Sequence, residues 1–394
     1  MAYNFLPCDR NQAYLLPPSL RDWLPDGHLA WFVLDAVEQL DLQPLYARYR
    51  SDGIGNTAFN PTMMVALLIY AYCTGERSSR RIERSCESDV AYRVVAANQV
   101  PDHTTLSRFR KDNERHLKGL FLAILRLCAE AGLVKLGVVS LDGTKMKACQ
   151  ERLEREQEQA REAQREKINE RENKEKETGK TPRGRKPKSP DEVSDETAKA
   201  NVTDPESRIV KTRKGYEQGY NAQTVVTKEQ IILAADVTSQ ENDQKQLHPM
   251  LEQAESNRRA TAIEEKLGVA LADAGYCSDE NLTTKPSGDV ELLVATKKDW
   301  KQRQALKEPP RPAPMTAALS ATESMEQKLL TQRGRALYKL RGQTVEPVFG
   351  QIKSCRGIVR FVRRGLEAAR GEWLFICTTH NILKLWRSGQ AAWV

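Results

Sequence analysis

Two apolar runs of strand length each end in an aspartate, and a third carboxylate follows in a helical stretch. The run LGVVSLDGT ends at Asp142, and LGVALADAGY ends at Asp273. Glu346 lies in YKLRGQTVEPVFGQIK, after a third strand-like run. Carboxylates on separate strands and a helix converge only through folding, and three in one pocket repel each other unless cations hold them. They are therefore candidate ligands for Mg²⁺, a hard cation that prefers oxygen donors.

The chain order favours this interpretation over a simpler one. An aspartate that ends a strand most often starts a turn, and for either aspartate alone that interpretation comes first. Ligand sites in α/β sheets lie beyond the carboxyl ends of the strands, so Asp142 and Asp273 are expected to face one crevice. Two metal ions about 4 Å apart in that crevice would activate an attacking oxygen and stabilise a leaving oxygen. With Glu346 added, the pattern predicts metal-dependent phosphodiester chemistry.

The order of elements predicts a helical region followed by a mixed sheet. Within residues 1–115, HLAWFVLDAVEQL has apolar positions at helical spacing, and Asn60 and Pro61 can begin the next helix. From Leu136 the order is strand, strand, strand, helix, strand, helix, strand, helix, helix. We therefore expect an α+β or α/β fold, a mixed sheet flanked by helices on both faces. The predicted domains are 1–115, for DNA binding and assembly, and 116–394.

Residues 150–200 are predicted to be a charged, low-complexity insertion after the first strand. Acids and bases alternate over 151–177 with almost no apolar stripe. PRGRKPK, at 182–188, is similar to an AT-hook, in which Arg183 and Arg185 would lie in a narrow minor groove. Lys186 stands where that motif usually has proline, and a flexible basic linker is the alternative. A possible smaller insertion at 297–330 contains EPPRPAPMT.

Composition narrows the class of protein. With 394 residues and 40% hydrophobic content, the chain can bury a large core. A formal charge of +8 favours an anionic partner, most commonly nucleic acid. The eight cysteines include no C-x-x-C pair, which argues against a zinc ribbon and indicates reduced thiols. The start of the chain has no secretory pattern, and the apolar run at 63–73 is too short to span a bilayer. We therefore expect a cytoplasmic protein.

PDHTTLSRFRKDN, at 101–113, has the form of a recognition helix. Asp102 or Thr104 can cap it, and Leu106 and Phe109 are expected to face inward. In a helix-turn-helix the second helix enters the major groove. The basic side chains available for DNA are Arg108, Arg110 and Lys111. The alternative is a basic surface helix near a domain junction.

Together these motifs resemble the DDE transposases of bacterial insertion sequences. The resemblance covers nearly the whole chain and rests on FNPTMMVALLIYAYCTGERSSRRIERSC, SLDGTKM, LADAGY and VEPVFGQIK, with RGxxRFxxRG behind it. Within that family the chain is most similar to the eleven-eighty-two branch. The resemblance implies a ribonuclease H-like catalytic domain in which Asp142, Asp273 and Glu346 bind two Mg²⁺ ions, which Mn²⁺ would replace. The implied reaction is hydrolysis at element ends, followed by attack of a 3′-hydroxyl on target DNA.

The resemblance also implies partners. These are double-stranded DNA, as terminal inverted repeats and as target, and further copies of the chain, in a homodimer or higher oligomer. It implies association with the bacterial nucleoid. Two alternatives remain open from the residues: a DNA-binding protein that kept the fold but lost catalysis, and a ribonuclease H-like nuclease that cuts without strand transfer.

Tyr338, Arg341, Glu346 and Lys353 resemble the Tyr-Arg-Glu-Lys signature of that family, which implies DNA contacts for the first, second and fourth. The seven-residue step from Glu346 to Lys353 is two helical turns, so Lys353 is expected to meet a phosphate near the cut bond. One extra residue separates Arg341 from Glu346, and one residue rotates a helix position by about 100°. Arg341 therefore either precedes the helix or points elsewhere. The alternative for Tyr338 and Arg341 is an ordinary solvated helix start.

Three aromatic or imidazole side chains remain. Trp300, in KKDWKQRQ, follows the last strand, where some relatives place an aromatic that stacks on a flipped base. The alternative for Trp300 is a partly exposed tryptophan without that role. His380 and Trp386, in HNILKLW, are expected to pack a C-terminal helix.

Overall fold

The computed structural model describes residues 19–47, 49, 58–149, 164–166, 168–169, 189, 204, 206–212, 215–297, 299–307, 319–391 and 393. Most of the predicted charged insertion, including Arg183 and Arg185, lies outside the described residues. So does the proline-rich centre of the predicted second insertion.

The first part of the described chain is helical, as predicted. Its helices are α1 (Leu29–Glu38), α2 (Gln43–Tyr46), α3 (Pro61–Cys73), α4 (Ser79–Ser88), α5 (Val90–Val95), α6 (His103–Asp112) and α7 (Glu114–Glu130). Local chemistry explains where they begin. The Asn60 side chain accepts hydrogen bonds from the first backbone N–H groups of α3, and Pro61 occupies the first helical position. Asp102 caps α6 in the same way, and Leu106 and Phe109 face the core.

A mixed sheet follows. Its strands are β1 (Val138–Lys147), β2 (Arg208–Thr212), β3 (Gly215–Thr227), β4 (Ile232–Thr238), β5 (Val269–Ala272) and β6 (Glu291–Val294). The order is β2-β3-β1-β5-β6, and β4 also pairs with β3. β3 is antiparallel to β1, β2 and β4, whereas β5 is parallel to β1 and β6. This six-stranded sheet is consistent with a ribonuclease H-like domain.

Two details differ from the sequence-based expectation. Asp142 does not end its strand, because β1 continues to Lys147 in antiparallel pairing with β3. The long first half of β3 also pairs with β2, a strand that the sequence pattern did not predict. Both differences have one cause. β3 is 13 residues long, so its backbone can pair with the polar end of β1 and also with β2.

The remaining helices follow and flank the last strands. They are α8 (Leu247–Ala260), α9 (Asp279–Thr283), α10 (Asp299–Ala305), α11 (Ala321–Leu330), α12 (Gln332–Lys339), α13 (Arg341–Gly350) and α14 (Leu366–Ser388). α13 continues into a π-helical turn, Gln351–Cys355. α14 packs against α7, α3 and β4, and its Trp373 is fully buried and donates to the backbone oxygen of Gln223 at 3.1 Å.

One hydrophobic core connects the helical region with the sheet. The predicted boundary at 115/116 falls in the first turn of α7, and the division into those two domains stays a prediction. None of the helices in the described ranges is both long and apolar enough to cross a membrane.

His380 and Trp386 lie in α14, as expected. The His380 ring is buried, with Nε2 3.0 Å from the backbone oxygen of Gln230. Burial lowers the pKa of His380 from 6.5 to about 3. Trp386 is half-buried, and its indole N–H donates to the backbone oxygen of Gly27 at 3.4 Å.

We predict that His380 makes the fold sensitive to acid. The imidazole stays neutral in the folded chain but takes up a proton below pH 6.5 in the unfolded chain, so its stabilisation is present above 6.5 and is lost as the pH falls toward 3. Between pH 7 and pH 5 this loss amounts to about 2 kcal/mol. Urea unfolding at both pH values should show a smaller decrease for His380→Gln than for the parent. His116→Gln, at a half-buried position on α7, is the control; equal decreases in all three proteins would contradict the assignment.

Candidate active site

Asp142 and Asp273 come together because β1 and β5 are parallel neighbours. The last paired residues are Ser140 and Leu271, and the same register carried two residues further places Asp142 beside Asp273. β5 ends at Ala272, and Asp273 then caps a short 3-10 turn by accepting from the N–H of Gly275 at 2.9 Å. Asp273 thus starts a turn and also faces the site. Only 16% of the Asp142 side chain is exposed.

Arg341 joins these two carboxylates. Its Nη2 lies 2.8 Å from Asp142 Oδ2 and 3.7 Å from Asp273 Oδ2. Arg341 is the first residue of α13 and is 8% exposed. Thr344, in the same helix, lies with its hydroxyl 2.5 Å from that of Ser140 on β1. Arg341 does not precede the helix, because α13 begins with this residue, and its guanidinium points at the two aspartates.

A third carboxylate, Asp243, lies beside the pair. It follows β4, and its Oδ1 accepts from the amides of Asn221 at 2.6 Å and Gln223 at 2.7 Å. The buried Tyr276 hydroxyl donates to the Gln223 side-chain oxygen. A Cβ added at Gly275 would lie 3.0 Å from Asp273 Oδ1 and 3.3 Å from Asp243 Oδ2, so both carboxylates flank that glycine.

Sequence reasoning missed Asp243 because it ends no apolar run. It stands in the polar stretch SQENDQ between a strand and a helix, where aspartate is common in turns. The one available signal was the pair of amides, Asn221 and Gln223, in the buried second part of β3. Buried amides need hydrogen-bond partners, and here a carboxylate supplies them.

The site has an excess of negative charge in a poorly solvated place. Burial raises the pKa of Asp142 to about 7, Arg341 opposes this rise, and Asp273 and Asp243 add to it. Burial lowers the pKa of Lys145, whose Nζ lies 3.8 Å from Asp243, while the nearby carboxylates act in the opposite direction. Such an arrangement attracts cations.

Glu346 is not brought into this cluster. It is exposed on α13 and lies five residues after Arg341, a rotation of about 140° around the helix axis. In the part of the chain that the structure describes, no group of three or more Asp, Glu, His or Cys side chains is arranged to hold a metal ion, so Glu346 does not complete a three-carboxylate site with the two aspartates.

The oxygen donors of Asp142 and Asp273 nevertheless fit a divalent cation. They are hard ligands, they face one point, and that point already holds a positive charge, the Arg341 guanidinium. The structure therefore brings together two of the three predicted ligands, places Asp243 close to them, and leaves Glu346 exposed on α13.

The other predicted residues of the signature lie along the same chain segment. Lys353 is in the π-helical turn, and its Nζ donates to the backbone oxygen of Lys145 at 2.7 Å. Burial lowers the pKa of Lys353 to about 8. Tyr338 is half-buried on α12 and packs against the core. Trp300 lies in α10, and its side chain is outside the described part of the structure.

The three basic side chains of α6 have different surroundings. Arg108 and Lys111 are exposed. Arg110 is half-buried and donates to the backbone oxygen of Arg77 at 2.8 Å and to the Tyr72 hydroxyl at 3.3 Å. Arg110 therefore holds α6 on the helical region, whereas Arg108 and Lys111 face outward.

Comparisons with known proteins agree with this architecture. A family model described as "Transposase domain (DUF772)" matches residues 18–112, and one described as "Transposase DDE domain" matches residues 135–382. The second match spans more than half of the chain, which therefore belongs to the DDE transposase family, a class of nucleic-acid-processing enzymes that generally use divalent metal ions. No curated protein and no solved structure matches the chain. The eleven-eighty-two branch stays a prediction.

We predict that Gly143, the residue after Asp142, cannot be replaced without loss of stability. A Cβ there would come closer than 3.0 Å to side-chain atoms of Gln223, Asp243 and Asn221, which are held by mutual hydrogen bonds. Gly143→Ala is expected to lower the free energy of unfolding by about 1–3 kcal/mol. Gly119→Ala is the control, because its Cβ on α7 meets nothing within 4 Å, and it should raise the melting temperature. A Gly143→Ala melting temperature at or above that of the parent would show that the amide–carboxylate cluster is loosely held.

Proposed function

We propose that this chain is a transposase that cleaves DNA at the ends of an insertion sequence and joins them to target DNA. The observation that supports this most is the convergence of Asp142 and Asp273 on one cationic group, within the segment that matches the DDE family. Each aspartate comes from its own strand, as a carboxylate pair for phosphodiester chemistry requires.

The proposed roles follow from position. Asp142 and Asp273 would hold divalent cations, which when bound activate the attacking oxygen and stabilise the leaving oxygen. Glu346 is the third proposed ligand, on the family resemblance. Asp243, fixed by Asn221 and Gln223, adds negative charge that favours cation uptake. Lys353 supplies a partly buried positive charge behind β1, suited to a DNA phosphate.

A second surface supports DNA binding. α4 packs against α6, and both expose bases: Arg80 and Arg84 on α4, and Arg108 and Lys111 on α6. Such a cluster suits the phosphates of a duplex and would position it rather than read its sequence. The acids Glu83 and Asp112 border this surface, and Glu83 is paired with His103 at 2.8 Å. We propose the α4–α6 surface for binding of the element ends.

We predict that Asp142→Asn, Asp273→Asn and Glu346→Gln each lower strand cleavage by about 100-fold or more, since each removes charge stabilisation at the reacting phosphate. Binding of end DNA should stay near the parental value. The measurement is Mg²⁺-dependent cleavage of a labelled duplex carrying the DNA that flanks the gene, alongside a binding assay on the same duplex. Glu252→Gln, at an exposed position on α8, is the charge-matched control.

The same assays separate the alternatives. Binding of end DNA with no cleavage by the parent would favour the DNA-binding protein that lost catalysis. Cleavage without joining of ends to a target plasmid would favour a nuclease without strand transfer. If Glu346→Gln cleaves DNA as fast as the parent, Glu346 is not part of the site. The two aspartate variants would still test the pair that the structure brings together.

We predict that Arg108→Ala with Lys111→Ala weakens end binding and reduces its salt dependence. For every DNA phosphate that the protein no longer neutralises, the slope of log affinity against log salt should become shallower by about 0.9. Arg110→Ala is a contrasting variant, since its hydrogen bonds to Arg77 and Tyr72 lie within the protein. The main effect of Arg110→Ala should be a lower melting temperature of the protein. An unchanged salt slope for the double variant would place the DNA elsewhere.

A further inference from the structure

The Arg341 guanidinium lies where a cation shared by Asp142 and Asp273 would lie. A single nitrogen, Nη2, reaches the Oδ2 atoms of both aspartates, at 2.8 and 3.7 Å. Arg341 is 8% exposed, so this charge is part of the interior. The positive charge at the centre of the pair is therefore built into the chain.

From this geometry we infer that Arg341 and a divalent cation bind the aspartate pair in alternation, so that the arginine must leave before a metal ion enters. The inference rests on the proposed function and adds a step to it. Mg²⁺ requires oxygen ligands at about 2.1 Å in nearly octahedral order. A guanidinium hydrogen-bonded to the same inward-facing oxygens takes up that space, and its charge repels the arriving ion.

The structure indicates which part moves. The Thr344 hydroxyl is bonded to β1, and Val345 and Val348 are fully buried, so α13 is anchored by its inner face. Arg341 is at the first position of this helix, and Leu340 before it makes no side-chain cap. An arginine side chain has several rotatable bonds. The exchange is therefore a swing of the Arg341 side chain at the end of a fixed helix.

The neighbouring carboxylate explains why the exchange is possible. Asp243 carries its own partners, the amides of Asn221 and Gln223, with Lys145 at 3.8 Å. It does not depend on Arg341 for hydrogen bonds. Departure of the guanidinium removes the ion pair with Asp142, and a divalent cation at the same place supplies more positive charge than the arginine did.

The test is Mn²⁺ binding to the full chain, measured as free Mn²⁺ by electron paramagnetic resonance, without DNA or turnover. If Arg341 occupies the pair for about nine-tenths of the time, the apparent affinity of the parent is lowered about tenfold. Arg341→Gln should therefore bind Mn²⁺ about tenfold more tightly than the parent. Its melting temperature in a chelator should fall below the parental value, and Mn²⁺ should restore it.

Three variants make the result specific. Arg341→Lys keeps the charge and should keep the weak parental affinity. Arg333→Gln removes an exposed arginine that is paired with Glu291 at 2.7 Å, and it should change nothing in Mn²⁺ binding. Arg341→Gln combined with Asp142→Asn should lose the gain, which locates the ion at the pair.

An Arg341→Gln protein that is folded but binds Mn²⁺ no more tightly than the parent overturns the inference. So does a gain in affinity that survives Asp142→Asn. Failure of the proposed function is a separate result: it is scored by DNA cleavage, and a chain that exchanges Arg341 for Mn²⁺ without cutting DNA would retain this inference and lose that function.

Discussion

The site depends on how β1 pairs along its two edges, antiparallel to β3 on one edge and parallel to β5 on the other. Antiparallel pairing with β3 continues the strand to Lys147, so Asp142 stands within a sheet and not at a loose end. Parallel pairing with β5 stops at Ser140, two residues before Asp142, and there β5 also turns away at Asp273. The same strand thus keeps one carboxylate rigid and opens the space beside it for a second.

That space places negative charges where water is scarce. Burial raises the pKa of Asp142 because the charged carboxylate is poorly solvated there. The Arg341 guanidinium, at the start of α13, opposes this rise. An ion pair of this kind is weak support for stability, because desolvation of both partners opposes their attraction. It is better understood as a functional arrangement in which the positive charge can be exchanged while the strands stay in place. Asp243, held by amides of β3, keeps the local charge negative in either state.

Features set by neighbouring residues could be predicted from the sequence, and features set by distant ones could not. Asn60 with Pro61 and Asp102 cap their helices through backbone groups two or three residues away, so short motifs were sufficient. The apolar runs before Asp142 and Asp273 predicted the strands and their closeness. The far end of β1 and the contact of Arg341 with Asp142 depend on partners tens to hundreds of residues away. Asp243 was missed for the same reason, since only folding brings it to Gln223.

The helical region is tied to the segment that carries Lys353, and this connection has a consequence for DNA. Arg77, just before α4, forms a buried ion pair with Glu372 of α14 at 2.8 Å, and Glu372 also accepts from the N–H groups of Val362 and Arg363. Gly75 has a positive φ of 88°, and a Cβ there would strike the backbone oxygen of Arg356. Breaking a buried pair leaves an uncompensated charge, so this junction resists sliding. If the α4–α6 surface binds the element ends as proposed, this junction would hold the bound duplex at a set position relative to the aspartate pair.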